Sequence, residues 1–150
     1  SLRRQGTLDK FDVEMIGATA DGSYRVEPGE RKVLVGVIDT GVDGTHPDIR
    51  PNFSYKLSRN FVTDSDVYDD GPCEFAGCVD PVDHDDDGHG THVSGTIGQL
   101  TNNNLGVAGM AFNVRIMPVK IISDTWDFDR PVMPKDCTSL SIRRVDTPSR

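Results

Sequence analysis

A short apolar run, Val33–Asp39, follows the polar residues 1–31 and ends at the only charged position within it, Asp39. The run is rich in β-branched residues, and Thr40 and Gly41 after it are a turn signal. Seven residues are few for a helix, whereas a continuous apolar run of this length is typical of a strand buried on both faces in a parallel sheet. We therefore predict a buried strand that ends at Asp39.

Further along the chain, small and apolar residues at helical spacing begin at His89, and Asn102–Asn104 ends them. A second strand-like run spans Val114–Ile122. It contains Pro118, which lacks a backbone N–H and should therefore occupy an edge or irregular position. A shorter strand is indicated near Arg59–Val62. Strand, helix and strand in this order form the unit that builds parallel sheets.

Three segments follow from these patterns. Residues 1–31 carry turn signals without a sustained period and are predicted to run over the surface. Residues 32–122 contain the predicted core, and residues 123–150 have no clear period, which indicates a poorly ordered tail. The chain begins with Ser1 rather than Met, so we interpret it as a processed or excised fragment.

The net charge of the chain argues against some classes of binding partner. The formal charge is −8, which argues against nucleic acid or an anionic membrane surface as a partner, and the longest apolar run is too short to cross a bilayer. Ten acidic residues lie between Thr63 and Gly88 without a Lys or Arg, and the rest of the chain has a formal charge of +2. The acidity therefore belongs to one segment.

Two of the three cysteines, Cys73 and Cys78, lie in this acidic segment, whereas Cys137 is far from both. The spacing favours a small disulfide in a secreted protein, and two free thiols in a cytosolic protein are the alternative. A second cysteine pair that would complete a zinc site is missing from the sequence.

Asp39 and His89 are the side chains best placed for chemistry. A carboxylate at the end of a buried strand is costly unless a partner pairs with it, and ligand and catalytic groups collect at this end of parallel sheets. Glycines on both sides of His89 let the backbone approach closely and leave the imidazole open. The positive end of the helix dipole should hold His89 neutral, as a general base requires. Alone, Asp39 is also compatible with a capping or turn role, and His89 with the role of a satisfied core or capping residue.

Together, these segments resemble the subtilase (subtilisin-like) family of serine proteases over about residues 30–120. The resemblance implies a three-layer α/β fold built on a parallel sheet, of which this chain would form the incomplete N-terminal part. It also implies that Asp39 and His89 are the aspartate and histidine of a catalytic triad. The motifs that carry it are Val35–Gly41, His46–Asp48, His89–Thr96 and Asn103–Ala111.

The resemblance implies a secreted endopeptidase that hydrolyses peptide bonds in protein or peptide substrates. Asp39 would orient His89, and His89 would take the proton of an attacking serine hydroxyl. The family's serine belongs to a downstream Gly-Thr-Ser-Met-Ala-type motif, which this sequence does not contain. We therefore expect a truncated protease portion that has no activity alone.

Subtilases often bind structural calcium, and the resemblance assigns a site with side-chain or backbone oxygens to four residues: Asp48, Asn103, Leu105 and Val107. Calcium prefers several oxygen ligands supplied by flexible loops. A second site is conceivable at four aspartates of the acidic segment, for which a solvated loop is the alternative: Asp83, Asp85, Asp86 and Asp87.

Three competing interpretations were considered. Asp43–Thr45 is similar to the nucleophile loop of haloacid-dehalogenase-type phosphatases, but the preceding aspartate is four residues back rather than two. A metal site from His84, His89 and His92 lacks the regular spacing of a helical histidine pair, and His92 is given a packing role. The third interpretation is a non-catalytic remnant or calcium-binding module derived from a subtilase.

Overall fold

A computed structural model describes residues 17–19, 21–63, 73–106 and 108–122. The predictions for residues 1–16 and for the tail, residues 123–150, lie outside the described residues. Within them, no helix combines the length and the apolar character needed to cross a bilayer. The elements are α1 (Ser23–Val26), β1 (Leu34–Asp39), a 3₁₀ helix (Arg50–Asn52), β2 (Arg59–Asn60), α2 (His89–Gly98) and β3 (Arg115–Lys120).

The three strands form one parallel sheet in the order β1-β3-β2. β1 pairs with β3 along its whole length, from Leu34 opposite Arg115 to Asp39 opposite Lys120. The predicted strand–helix–strand unit is confirmed, and so is the parallel α/β architecture. Since parallel strands end at the same edge, Asp39 and Lys120 lie side by side at the carboxyl edge of the sheet.

Pro118 lies in the central strand of these three, at a break in its pairing. The carbonyl of Ile116 accepts the N–H of Ser54 at 2.8 Å, and the carbonyl of Lys120 accepts the N–H of Phe61 at 3.0 Å. Alternate residues of a strand direct their backbone groups to the same side, so Pro118 lacks its N–H on the β2 side, between these two contacts. The irregular position that proline requires is therefore a gap in the pairing.

The core lies between the sheet and α2. Val37, Val114 and Ile116 are buried together, and Val93 and Ile97 of α2 pack against them. Glycine and serine bring the helix close to the strands, since the buried residues of α2 are Gly90, Ser94, Gly95 and Gly98.

The opposite face of β1 is more open. Side chains alternate across a strand, and Val37 is 5% exposed whereas its neighbour Ile38 is 60% exposed. The expectation that β1 is buried on both faces is therefore wrong in the part of the chain that the structure describes. Its physical cause is that α2 covers only the face that carries Val37 and Asp39.

Candidate active site

The structure brings Asp39 and His89 together across fifty positions of sequence. The Nδ1 atom of His89 lies 2.7 Å from Oδ1 of Asp39, and the backbone N–H of Thr40 donates to the same oxygen at 2.8 Å. The Asp39 side chain is 12% exposed, whereas that of His89 is 43% exposed. A mostly buried carboxylate thus holds one ring nitrogen of an imidazole that remains open to solvent.

The pKa of His89 is shifted in the direction opposite to the one expected from the helix dipole. Its hydrogen bond to Asp39 raises the pKa of the His89 imidazole above the ordinary value, although partial desolvation opposes this, and the charges of Asp39, Asp87 and Asp85 act in the same direction as the bond. These carboxylates act against the helix dipole, which by itself would lower the pKa of the imidazole. The site therefore stabilises the imidazolium, the form that a general base reaches after it accepts a proton.

Two glycines fix the position of His89. Gly88 has a φ of 90°, a left-handed conformation that side-chain-bearing residues rarely adopt, and the helix begins at the next residue. At Gly90 an added Cβ would lie 2.0 Å from the carbonyl oxygen of Gly41 and 3.1 Å from Cβ of Asp39. The helix start can therefore contact the end of β1 only because this position has no side chain.

Asp85 supplies most of the remaining contacts at this helix start. One carboxylate oxygen accepts the hydroxyl of Thr40 at 2.9 Å and the N–H of Gly88 at 3.1 Å. The other accepts the N–H of Thr91 at 2.9 Å and also its hydroxyl. On the sequence alone Asp85 is predicted only as a possible calcium ligand, because it lies three residues before the N-cap Gly88 and so carries no capping signal.

The sequence model of the Subtilase family, peptidase S8, matches residues 30–132. The chain belongs to the subtilase family. The matched range contains Asp39, His89 and Asp85, and it extends past Lys120.

Subtilases of bacteria are among the similar proteins. The chain is 37% identical over 102 residues to a thermophilic serine proteinase of Bacillus sp. (strain AK1), which covers 68% of this chain and 21% of that protein. It is 35% identical over 122 residues to fervidolysin of Fervidobacterium pennivorans, covering 76% of this chain and 14% of the relative. The chain thus spans about a fifth or less of the length of these relatives.

A solved subtilase structure is similar to the fold of this chain. The epidermin leader peptide processing serine protease of Staphylococcus aureus matches with a TM-score of 0.58 and 25% identity, over 83% of this chain and 29% of that chain. The described part of the chain therefore has an incomplete subtilisin-like α/β fold.

The residues assigned to calcium in this subtilase surround Asp48. Asp48 is fully buried, its Oδ1 accepts the amide of Asn103, and its Oδ2 has no hydrogen-bond partner. The N–H of Leu105 donates to the side-chain oxygen of Asn103 at 3.2 Å, and an added Cβ at Gly106 would lie 2.5 Å from Oδ2 of Asp48. The loop thus closes directly over the carboxylate; Val107 lies outside the described residues.

The acidic segment does not gather its four aspartates into one metal site among the described residues. Asp85 contacts the helix start, Asp87 accepts the N–H of His89 at 3.0 Å, and Asp86 contacts Lys120 and His84 at 2.8 and 2.9 Å. A different set brings three possible ligand atoms within 4.8 Å of one another: Glu74, His84 and Asp86.

Two further predictions concern the cysteines of the acidic segment and His92 of α2. Cys73 and Cys78 form a disulfide, as their spacing favoured. His92, by contrast, is exposed on α2, so the packing role predicted for it is wrong. The reason is that the buried face of α2 is occupied by glycine, serine and aliphatic residues, which permit a closer approach than an imidazole would.

Proposed function

We propose that this chain is the N-terminal part of a subtilisin-like serine endopeptidase domain and supplies the Asp and His, but not the Ser, of its catalytic triad. The observation that carries the proposal is the 2.7 Å contact between Nδ1 of His89 and Oδ1 of Asp39. The open imidazole and the raised pKa of His89 support it, since both suit a base that must accept a proton and hold it briefly.

In this role Asp39 fixes the tautomer of His89 and stabilises the imidazolium, while the second ring nitrogen takes the proton of a serine hydroxyl as it attacks a peptide carbonyl. Residues 1–150 contain no serine in a Gly-Thr-Ser-Met-Ala-type motif. Loss of the nucleophile reduces subtilisin turnover by about 10⁶-fold. We therefore expect no measurable peptide hydrolysis and no stable fluorophosphonate labelling of this chain alone.

A chimeric protein tests whether this chain supplies the Asp and His of a working catalytic triad. Residues 1–120 would be joined to the downstream catalytic segment, with its serine motif, of the similar Bacillus sp. (strain AK1) proteinase. We expect the chimera to cleave a peptide substrate and to accept a fluorophosphonate, and His89→Ala to abolish both. Asp39→Asn should reduce turnover by about 10⁴-fold. A folded chimera that is inactive, or stable labelling of a serine in the unfused chain, would contradict the proposal.

We also infer that the protein is secreted. Two similar proteins are named an extracellular basic protease, from Dichelobacter nodosus, and an extracellular protease, from Xanthomonas campestris, whereas one from Paenibacillus polymyxa is named an intracellular serine protease. The Cys73–Cys78 disulfide favours an oxidising compartment. Thiol titration of the unfolded, unreduced protein should then find one reactive thiol, Cys137; three would exclude the disulfide.

A second candidate function is calcium binding, which a specific observation supports. A fully buried carboxylate oxygen without a hydrogen-bond partner, on Asp48, is costly unless a cation or donor compensates it. Asn103 would contribute its side-chain oxygen after rotation of the amide, and Leu105 and Val107 would contribute backbone oxygens. These are hard oxygen donors from a loop, the kind of ligand that calcium prefers.

Calorimetric titration and melting temperature measure this binding without any need for activity. We expect calcium, but not magnesium, to raise the melting temperature, and Asp48→Asn to remove the increase. Asp21→Asn, which removes an exposed carboxylate, is the matched charge control. Calcium binding that persists in Asp48→Asn would place the ion elsewhere.

A further inference from the structure

We propose that Asp85 is a positioning residue, which holds the end of β1 and the start of α2 so that Asp39 faces His89. This inference rests on the proposed function, because it concerns the same pair of side chains. Asp85 touches neither member of the pair through a hydrogen bond described above. It acts through the residues adjacent to them: Thr40, which follows Asp39, and Gly88, which precedes His89.

Four hydrogen bonds give Asp85 this role. Its Oδ1 joins the Thr40 hydroxyl, 2.9 Å away, to the Gly88 N–H, 3.1 Å away. Its Oδ2 accepts the N–H of Thr91 at 2.9 Å and the Thr91 hydroxyl. One carboxylate therefore connects the residue after β1 with the residue before α2 and with a residue of its first turn.

The two threonines bonded to Asp85 make further hydrogen bonds between the strand end and the helix. The Thr40 hydroxyl accepts the N–H of Gly90 at 3.0 Å, and the Thr40 N–H donates to Asp39. The Thr91 hydroxyl accepts the N–H of Asp43 at 2.8 Å. Each threonine thus both donates to Asp85 and accepts from the opposite element, so loss of the carboxylate would loosen two ties between the strand end and the helix.

Neither close substitute preserves this arrangement. Asparagine has one acceptor oxygen, so Asp85→Asn loses the acceptor for one of the two groups of donors in either orientation of its amide. Asp85→Glu keeps the negative charge but moves the carboxylate by one methylene, away from two backbone N–H groups and two threonine hydroxyls. A role that depended only on charge would survive in the glutamate variant, whereas a positioning role would not.

Nuclear magnetic resonance of His89 in the ¹⁵N-labelled chain provides the readout. A hydrogen-bonded Nδ1–H gives a strongly downfield proton resonance, and a titration gives the pKa of the imidazole. The matched control is Asp87→Asn, because the charge of Asp87 raises the His89 pKa more than that of Asp85 does. We expect the downfield resonance to be lost in both Asp85 variants and retained in Asp87→Asn, with a lower pKa in the control from the lost charge.

The outcomes separate the two proposals. If the downfield resonance persists in folded Asp85→Glu and Asp85→Asn, Asp85 acts only as a helix cap or through its charge. The positioning role is then overturned. If the wild-type protein lacks the resonance and Asp39→Asn leaves the His89 pKa unchanged, the Asp39–His89 pair itself fails, and the proposed function with it. If the Asp85 variants do not fold, two variants of Thr40 provide the test. We expect Thr40→Val to abolish the downfield resonance and Thr40→Ser to retain it. Equal behaviour of these two Thr40 variants overturns the inference.

Discussion

Lys120 provides the sharpest test of how the acidic segment is attached to the sheet. It ends β3, is 2% exposed, and donates from Nζ to Asp80 at 2.6 Å and to Asp86 at 2.8 Å. The Asp80 side chain is fully buried and that of Asp86 is 13% exposed. Lys120→Met would leave both carboxylates without their cation, which for a buried pair costs about 3–5 kcal/mol of the free energy of unfolding.

The decrease in the free energy of unfolding caused by Lys120→Met should depend on pH in a defined direction. Burial, and secondarily the neighbouring Asp86, raises the pKa of Asp80 to about 6 even though Lys120 opposes the shift. The folded protein therefore holds this proton more tightly than the unfolded chain, whose aspartates titrate near 4, so this contribution is complete below about pH 4 and is lost as the pH rises through about 6. A shift of about two units is worth about 3 kcal/mol.

Asp86 behaves in the opposite way. Burial raises its pKa, but the hydrogen bonds from Lys120 and Asp80 and the charge of Lys120 outweigh burial and lower it. Its contribution is present above about pH 4 and is lost as the pH falls further. At pH 4 Asp80 is protonated and needs Lys120 less, so Lys120→Met should cost less there than at pH 7.5.

Urea unfolding followed by circular dichroism at both pH values measures these differences. The control is Lys32→Met, which removes a lysine that is 81% exposed and paired with Glu30 at 2.5 Å. We expect little change in that variant, because exposed pairs contribute little. An equal effect of both substitutions at pH 7.5, or a cost of Lys120→Met that does not shrink at pH 4, would refute this reasoning.

Two further predictions concern the contact between Asp39 and His89 and the helix that carries His89. Asp39→Asn keeps an acceptor oxygen but removes the charge that strengthens the hydrogen bond to His89, so we expect the His89 pKa to fall in an NMR titration; an unchanged value would contradict the assigned cause. Gly90→Ala places a Cβ 2.0 Å from a backbone oxygen and should cost about 1–3 kcal/mol in urea unfolding, whereas Gly95→Ala meets only the flexible end of Gln99 at 3.0 Å. Equal stability of the two alanine variants would contradict the close approach of α2 to β1.

Much of the fold follows from local patterns. The strand that ends at Asp39, the helix that begins at His89 and the strand that contains Pro118 were each predicted within a few residues of their observed bounds. The hydrophobic period and the placement of glycines are patterns of short stretches of chain, so a single sequence is enough to recognise them. The helix nevertheless ends at Gly98, before the asparagines, because Gln99 already adopts an extended backbone conformation.

The sequence by itself determined the parallel α/β unit and, through its motifs, the pair Asp39 and His89. Only the tertiary structure decided which partners the described carboxylates of the acidic segment take: Asp85 contacts the helix start, whereas Asp80 and Asp86 contact Lys120. The physical reason is that this segment has no hydrophobic period to set its path. Its aspartates are alike in sequence, and they differ only in the distance and burial of the donors that the folded sheet and helix present to them.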